Sequence, residues 1–528
     1  MLEYFPYYLG MILLIVFLMM LGNKIKVAYP VLLVLAGLVI SLIPAIPVMK
    51  IDPELIFIIF LPPLLYEAAW NTSWKELWHW RRIIFSFAFI VVFLTAISVA
   101  LVANYFIPGF SLALGFLLGG IVSPPDAVSA SAILKFVKVP KRMSSILEGE
   151  SLLNDASSLI IFRFAMVAVA TGQFIWQDAV LNFGWMVIGG ISIGLAIAIV
   201  LKKTHKYLPT DVNMDIILTL MAPYIMYIIA EQVHSSGVLA VVSGGLFMSY
   251  YRHTYLSSSS RLRAENVWQS FAFLLNGLVF MLIGLDLPEI TLGLESEGVS
   301  FYTATGFGLL ITAVLIIGRI LACYGAIVVT LIMRNFITVA DRSNPGLKGP
   351  LILGWTGMRG VVSLAAALSI PLTLEGNVPF PHRNLILYIT FIVILLTLVV
   401  QGLTLPYLIK KMGVMEYNDH WPEEETHTLL RTALARESLD YLSLQHPEEF
   451  ASDKHLKKFA QKWEDRSSQT GEATDVPEHI RAIYIQVLNR QRSFLIEKNK
   501  TEQKLDEEII RHYLHQIDLE EERILYSR

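Results

Sequence analysis

Between Glu150 and Ser158 the chain reads Glu-Ser-Leu-Leu-Asn-Asp-Ala-Ser-Ser, inside an otherwise apolar run. At helical spacing Glu150 and Asn154 share one face, and Ser151 and Asp155 share the next face round. Carboxylates, hydroxyls and an amide in two adjacent stripes offer oxygen donors, the ligands a hard cation prefers. The same carboxylates can hold a proton. A bare scaffold helix has no need of all these groups together, whereas a polar cavity does.

Five more ionisable residues stand inside long apolar runs: Glu67, Asp126, Arg163, Arg319 and Arg359. Each costs at least ~2.5–3.5 kcal/mol at membrane depth, so each must face protein or water. For any one of them a structural ion pair is as good a reading as a functional one. The group as a whole asks for a collective explanation. Arg163, two helical turns beyond Asp155, reads as structural and near the outer end of its helix.

Asp126 directly follows Ser123-Pro124-Pro125. Two prolines remove backbone donors and forbid regular helix there. A plain kink is the simple reading, but irregular backbone at membrane depth is tolerated only against protein or a cavity. Asp126 is placed to cap the helix that restarts after the break. A second interruption, Gly354-Trp355-Thr356-Gly357-Met358-Arg359-Gly360, puts an arginine among glycines in another apolar run. Broken helices whose freed ends face a midplane cavity are how transporters hold small ions.

These residues need helices that cross a bilayer, each about 20 apolar residues long. Thirteen candidate spans occur, at about 7–22, 28–45, 54–72, 83–106, 110–136, 143–171, 178–201, 213–233, 236–250, 266–285, 302–333, 348–373 and 384–409. The loops after odd-numbered spans carry 18 basic residues, among them Lys138, Arg334 and Arg342, and the alternate loops carry only Lys50 and Arg383. That segregation puts the N-terminus outside and the charged tail in the cytoplasm. The breaks fall in spans five and twelve, an odd number apart, which predicts two inverted repeats, spans two to six and nine to thirteen.

Hydrophobic residues make up 55% of the 528 and charged residues 16%, well below the roughly 25% charged of a soluble domain. The apolar character stops near Gly413. The expected domains are a transmembrane domain, 1–413, and a cytosolic, mainly helical tail, 414–528. In the tail, Leu429, Leu434, Leu439 and Leu442 give helical spacing, and Ser467 to Pro477 reads as a linker. It reads more simply as a dimerisation or stability module than as a sensor. The first run has neither the basic start nor the cleavage site of a signal peptide. A net charge of −3 implies no nucleic-acid partner, and the single Cys323 allows no intrachain disulfide. Trp70, Trp74, Trp78 and Trp80 read as an interfacial aromatic belt, His234 reads as a surface histidine, and no cofactor or metal-ligand cluster is evident.

Four motifs occur in order: Phe60 to Ala69 (FLPPLLYEAA), Ser123 to Val128 (SPPDAV), Glu150 to Asp155 (ESLLND) and Gly357 to Val362 (GMRGVV). Together they resemble the monovalent cation:proton antiporters of the NhaP and Na⁺/H⁺-exchanger branch, over about residues 5–412. The resemblance implies an all-α polytopic membrane protein of thirteen helices, two of them broken and crossing, in a homodimer of the bacterial inner membrane, with bilayer lipid around it. It implies that Asp155 carries the transported cation or proton, with Ser151 and Glu67 lining the site. It also puts Glu150 and Asn154 with Arg319 in a supporting ion-pair network, and Arg359 on the second crossed helix. Pro125 stands where many relatives have threonine, so a carbonyl remains beside Asp126 and a hydroxyl is gone.

The expected function is exchange of Na⁺ or Li⁺ for H⁺ by alternating access, with no enzyme chemistry. Asn154 cannot titrate, so one cation should cross for one proton. A K⁺/H⁺ or mixed-cation antiporter differs only in the ion. A channel or uniporter would use the same acids without strict coupling, and an intramembrane hydrolase built on Asp126 and Asp155 lacks a glycine-flanked acid motif.

Overall fold

The computed structural model describes residues 5–43, 53–137, 139–172, 176–333, 346–374, 378–413, 423–464 and 478–526. Lys50, Lys138, Arg334, Arg342, the end of the second span and the linker from Ser467 to Pro477 lie outside them. The chain divides into two compact units, the first of residues 1–204, 218–251 and 268–416 and the second of residues 205–217, 252–267 and 417–528.

Apolar runs this long become helices because a bilayer offers backbone N–H and C=O groups no other partner. The helices are α1 (Phe5–Ile25), α2 (Tyr29–Ser41), α3 (Pro53–Asn71), α4 (Trp74–His79), α5 (Arg81–Phe85), α6 (Val92–Phe106), α7 (Leu112–Val122), α8 (Ala127–Leu134) and α9 (Lys141–Thr171). Then come α10 (Trp176–Tyr207), α11 (Val212–Gln232), α12 (Gly237–Tyr255), α13 (Ser258–Leu285), α14 (Leu287–Ser296) and α15 (Phe301–Met333). The series through the apolar region ends with α16 (Lys348–Trp355), α17 (Val361–Leu368), α18 (Arg383–Leu396) and α19 (Gly402–Met412). A π-helical turn, Ser86–Val91, joins α5 to α6, and another, Thr397–Gln401, joins α18 to α19.

Among the described residues nine helical stretches are long and apolar enough to cross a membrane. The other segments read as spans from the sequence are helical too, but α2 is short, α3 carries Pro62 and Pro63, and α16 and α17 are halves of a broken helix. Two details differ from the sequence reading. Helix α14 is an extra short element after the tenth segment. The twelfth segment leaves helix after Leu368, and Thr373–Leu374 pairs with Val378–Pro379 in a two-residue antiparallel ladder.

Small residues let backbones meet, and they make several close packings among the first unit's helices. In one, a Cβ on Gly115 or Gly119 of α7 would come within 2.6 Å of the Ala100 carbonyl or 2.5 Å of the Ala96 carbonyl of α6. In two further pairs, a Cβ on Gly284 of α13 would meet the Val34 carbonyl of α2 at 2.3 Å, and one on Gly194 of α10 the Ala240 carbonyl of α12 at 2.1 Å. Close backbone approach through small residues four apart is how helices associate where lipid supplies no hydrophobic drive. Helix α9 joins the first of these packings, since Gly120 of α7 has no room for a Cβ beside the Phe162 backbone.

In the second unit α20 (Glu423–Gln445), α21 (Pro447–Ser452), α22 (Lys454–Glu464), α23 (Glu478–Thr501) and α24 (Glu507–Tyr526) bury Leu430, Leu434, Leu442, Leu488 and Leu514 in one core. Leu430 rather than Leu429 faces inward, because the buried stripe repeats every four residues through 430, 434, 438 and 442. The stretches 205–217 and 252–267 are tied into this unit by charge. The Arg261 guanidinium grips both oxygens of Asp518, with its Nε at 2.8 Å, and Arg492 donates to Asp518 and Glu521 at 2.9 and 2.6 Å. Asp215 accepts from the Ser260 hydroxyl and meets His205 Nδ1, both at 2.7 Å.

Candidate cation and proton site

The break after α7 and the break after α16 are bonded directly to one another: the Asp126 N–H donates to the Met358 carbonyl at 2.7 Å. Four helix ends therefore meet at one place, and each end carries unpaired backbone groups and a partial charge. The two kinds of end are met by opposite side chains. At the N-terminal end of α8 the Asp126 carboxylate accepts from the Val128 N–H (2.9 Å), the Ser129 N–H (3.3 Å) and the Ser129 hydroxyl (2.5 Å). Among the C-terminal ends, the buried Arg359 donates from Nε to the Val122 carbonyl at 2.9 Å and from Nη1 to the Gly357 carbonyl. Its own N–H is accepted by Thr397 Oγ1 at 3.1 Å, in the second π turn. Gly360 makes the approach possible, since a Cβ there would lie 2.2 Å from Asp126 Oδ2.

Helix α9 runs beside this crossing. The Asn154 amide donates to the Pro125 carbonyl at 3.2 Å, and the Ser151 hydroxyl accepts the Ala127 N–H at 3.2 Å. One face of α9 thus stitches the first break together. One turn earlier, Arg319 of α15 holds Glu150 with both terminal nitrogens, at 2.7 and 2.9 Å. Both partners are buried, 3% and 1% exposed. Asn154 does not join that pair: Glu150 takes both ends of the guanidinium, and the asparagine turns to Pro125 instead.

Asp155 is 7% exposed. Its carboxylate accepts no hydrogen bond from any described residue. Glu67 of α3 is half-buried and accepts from Asn71 of its own helix at 2.5 Å. Asn154 Oδ1, Ser123 Oγ and Ser363 Oγ are buried with no protein partner among the described residues. The arrangement offers one unspent carboxylate beside oxygen donors, at a crossing where Asp126 caps the start of α8 and Arg359 takes a carbonyl from each break.

Some groups could not be found from the sequence. The Val122 and Met358 carbonyls have no letter of their own, and Thr397 lies in an unremarkable apolar run. Glu231, the partner of Arg163, sits near the end of the eighth apolar run, where nothing in the spacing marks it as that partner. The four tryptophans of the expected aromatic belt divide by burial. Trp74 and Trp78 are exposed and stack on one another, whereas Trp70 and Trp80 are buried, with Trp80 Nε1 bonded to Glu76 at 2.9 Å under the Arg142 guanidinium.

A crossing of two broken helices beside a buried carboxylate defines a secondary transporter of small ions. The family model for the transmembrane sodium/hydrogen exchanger matches residues 10–411, and the chain belongs to that family, in its NhaP-type branch. It is 30% identical over 516 residues to an uncharacterised Na⁺/H⁺ exchanger of Mycobacterium tuberculosis, covering 96% of this chain and 93% of that one. It is 33% identical to a sodium, potassium, lithium and rubidium/H⁺ antiporter of Bacillus subtilis, over 77% of this chain and 61% of the other. It is 34% identical to the Na⁺/H⁺ antiporter ApNhaP of Aphanothece halophytica, over 74% and 70%. The fold is similar to that of the sodium proton antiporter MjNhaP1 from Methanocaldococcus jannaschii, with a TM-score of 0.61 at 17% identity over 78% of this chain and 99% of that one. The protein is a multi-pass membrane antiporter of monovalent cations and protons, not an enzyme.

Proposed function

We propose that the protein exchanges Na⁺, or Li⁺, for H⁺ one for one across the bacterial inner membrane, with Asp155 as the shared site. The observation that carries this is the contrast among the acids. Arg319 occupies Glu150, the first turn of α8 occupies Asp126 and Asn71 engages Glu67, while Asp155 alone of the four accepts nothing from the described protein. A carboxylate that is buried and unspent needs either a proton or a cation to be neutral. It can hold one of the two at a time, which makes them competitors.

Ser151, one turn before Asp155, supplies a hydroxyl oxygen, and Glu67, Asp126 and the Pro125 carbonyl complete the proposed site. With the cation or the proton bound the site is neutral and can change its exposure between the two faces. The bare anion is costly to carry, so empty return is suppressed and the two fluxes are coupled. Thirteen spans in inverted repeats, an outer N-terminus, a cytoplasmic tail from about residue 414 and a homodimeric assembly complete the reading. The loop charges support the orientation.

Position 154 is Asn, so no second acid titrates beside Asp155. Exchange is expected to be electroneutral. In proteoliposomes, an imposed membrane potential without pH or cation gradients should drive no flux, and a potential-driven proton flux would refute the one-for-one ratio. A broader cation range is a second reading, favoured by the name of the Bacillus subtilis relative and by the missing hydroxyl at Pro125. Dequenching of a pH dye with Na⁺, Li⁺ and K⁺ in turn separates the two.

A further inference from the structure

Arg163 has no part in the exchange chemistry above, yet it lies on the site helix. It is eight residues beyond Asp155, about 12 Å of helix rise. Its guanidinium pairs with the Glu231 carboxylate at the end of α11. The other oxygen of Glu231 accepts the Gly237 N–H at 3.0 Å, so the acid is anchored to the first turn of α12. Gly237 is held there in turn, since a Cβ would come within 2.6 Å of the Tyr227 ring.

The two partners thus belong to different helix packings. Arg163 lies on α9, which packs on α7, while Glu231 is fixed to the α11–α12 turn, whose second helix packs on α10. The pair differs from Arg319–Glu150 in a second way. Its side chains are 38% and 27% exposed, and Glu231 sits in the last turn of α11, at a helix end and not in mid-span. A pair that is not sealed in protein and lies at a helix end can open at lower cost than a fully buried one, whose opening leaves the full desolvation cost unmet. A reversible tie between the helices that carry the ion and those that do not is what a gate requires.

We propose that Arg163 and Glu231 form a latch that closes the end of the site remote from Lys141, and that every transport cycle breaks and remakes it. The latch rests on the alternating-access reading, in which α9 and its neighbours move against the α10–α12 pair.

The test uses the full chain in proteoliposomes with Cys323→Ala, Arg163→Cys and Glu231→Cys. A short, reducible bifunctional thiol reagent is expected to join the two positions and to lower cation-driven proton flux at least tenfold. Reduction should restore the flux, and a monofunctional reagent should leave it intact. Undiminished flux in the cross-linked protein, or failure of the reagent to join the two positions, overturns the latch. A second measurement needs no cysteines. Arg163→Gln and Glu231→Gln should each shift the apparent cation affinity from the latched side by about two- to fivefold, the scale of a partly exposed pair. The exchanged pair Arg163→Glu with Glu231→Arg should bring the affinity back. Single variants identical to the parent, or a shift that the exchange does not repair, would count against the latch. Asp155→Asn in the same vesicles tests the site separately, since exchange surviving that change sinks the site assignment and leaves the latch unaddressed.

Discussion

Glu150 and Asp155 sit five residues apart on one helix, both acids, both buried, and they are treated in opposite ways. Glu150 meets a guanidinium that fits both its oxygens. Asp155 meets no donor from the described chain. A buried pair joined this well is a fixed strut, since separating it leaves two uncompensated charges. An unmatched acid in the same surround is a site that waits for a positive partner. Residue type therefore says little about which carboxylate does the transport work. The neighbours decide it.

Removing the charge from the unmatched acid is the most severe way to test the contrast. Asp155→Asn should abolish cation-driven proton flux in vesicles and leave the thermal unfolding profile close to that of the parent, because no protein partner is lost. A large drop in unfolding temperature would show that Asp155 is structural after all. The reverse pattern is expected at the strut. Arg319→Ala leaves Glu150 buried and alone and should cost about 3–5 kcal/mol of stability. Combining it with Glu150→Gln should recover part of that loss, and a double variant as unstable as the single one would break the comparison. A smaller effect is expected at the crossing. In Gly360→Ala the new methyl group collides with Asp126 and should cost about 1–3 kcal/mol by overpacking, with slower exchange measured beside it. Unchanged stability and rate would mean that the two breaks are not held as close as described.

Much of this was readable in the letters. The long apolar runs forecast the helices because a bilayer leaves the backbone no alternative, and Pro124-Pro125 and Gly357-Met358-Arg359-Gly360 marked both breaks. That Asp126 would cap α8 followed from its place after two prolines. What the letters could not show was contact between distant positions. The bond from Asp126 to Met358 joins two loops far apart in the chain, and the grip of Arg359 on Val122 uses a backbone carbonyl that any residue would supply. Asn154 was expected beside Arg319, but Glu150 takes both terminal nitrogens and the asparagine bonds to the Pro125 carbonyl instead. The buried Trp80 was misplaced for a related reason: an indole near a membrane edge suits lipid or protein equally, and only Glu76 and Arg142 settle the matter.

The clasp between Arg261 and Asp518 joins residues 257 positions apart within one compact unit. During synthesis the stretch around Arg261 leaves the ribosome long before Asp518 exists. For that interval a basic segment that ends up buried must wait, solvated or held by something else, until α24 is made. Insertion of the membrane helices and completion of this unit are therefore separate events in time. A ribosome that stops short of α24 would release a chain whose helices have entered the bilayer, but in which Arg261 and Arg492 have lost the acid they share.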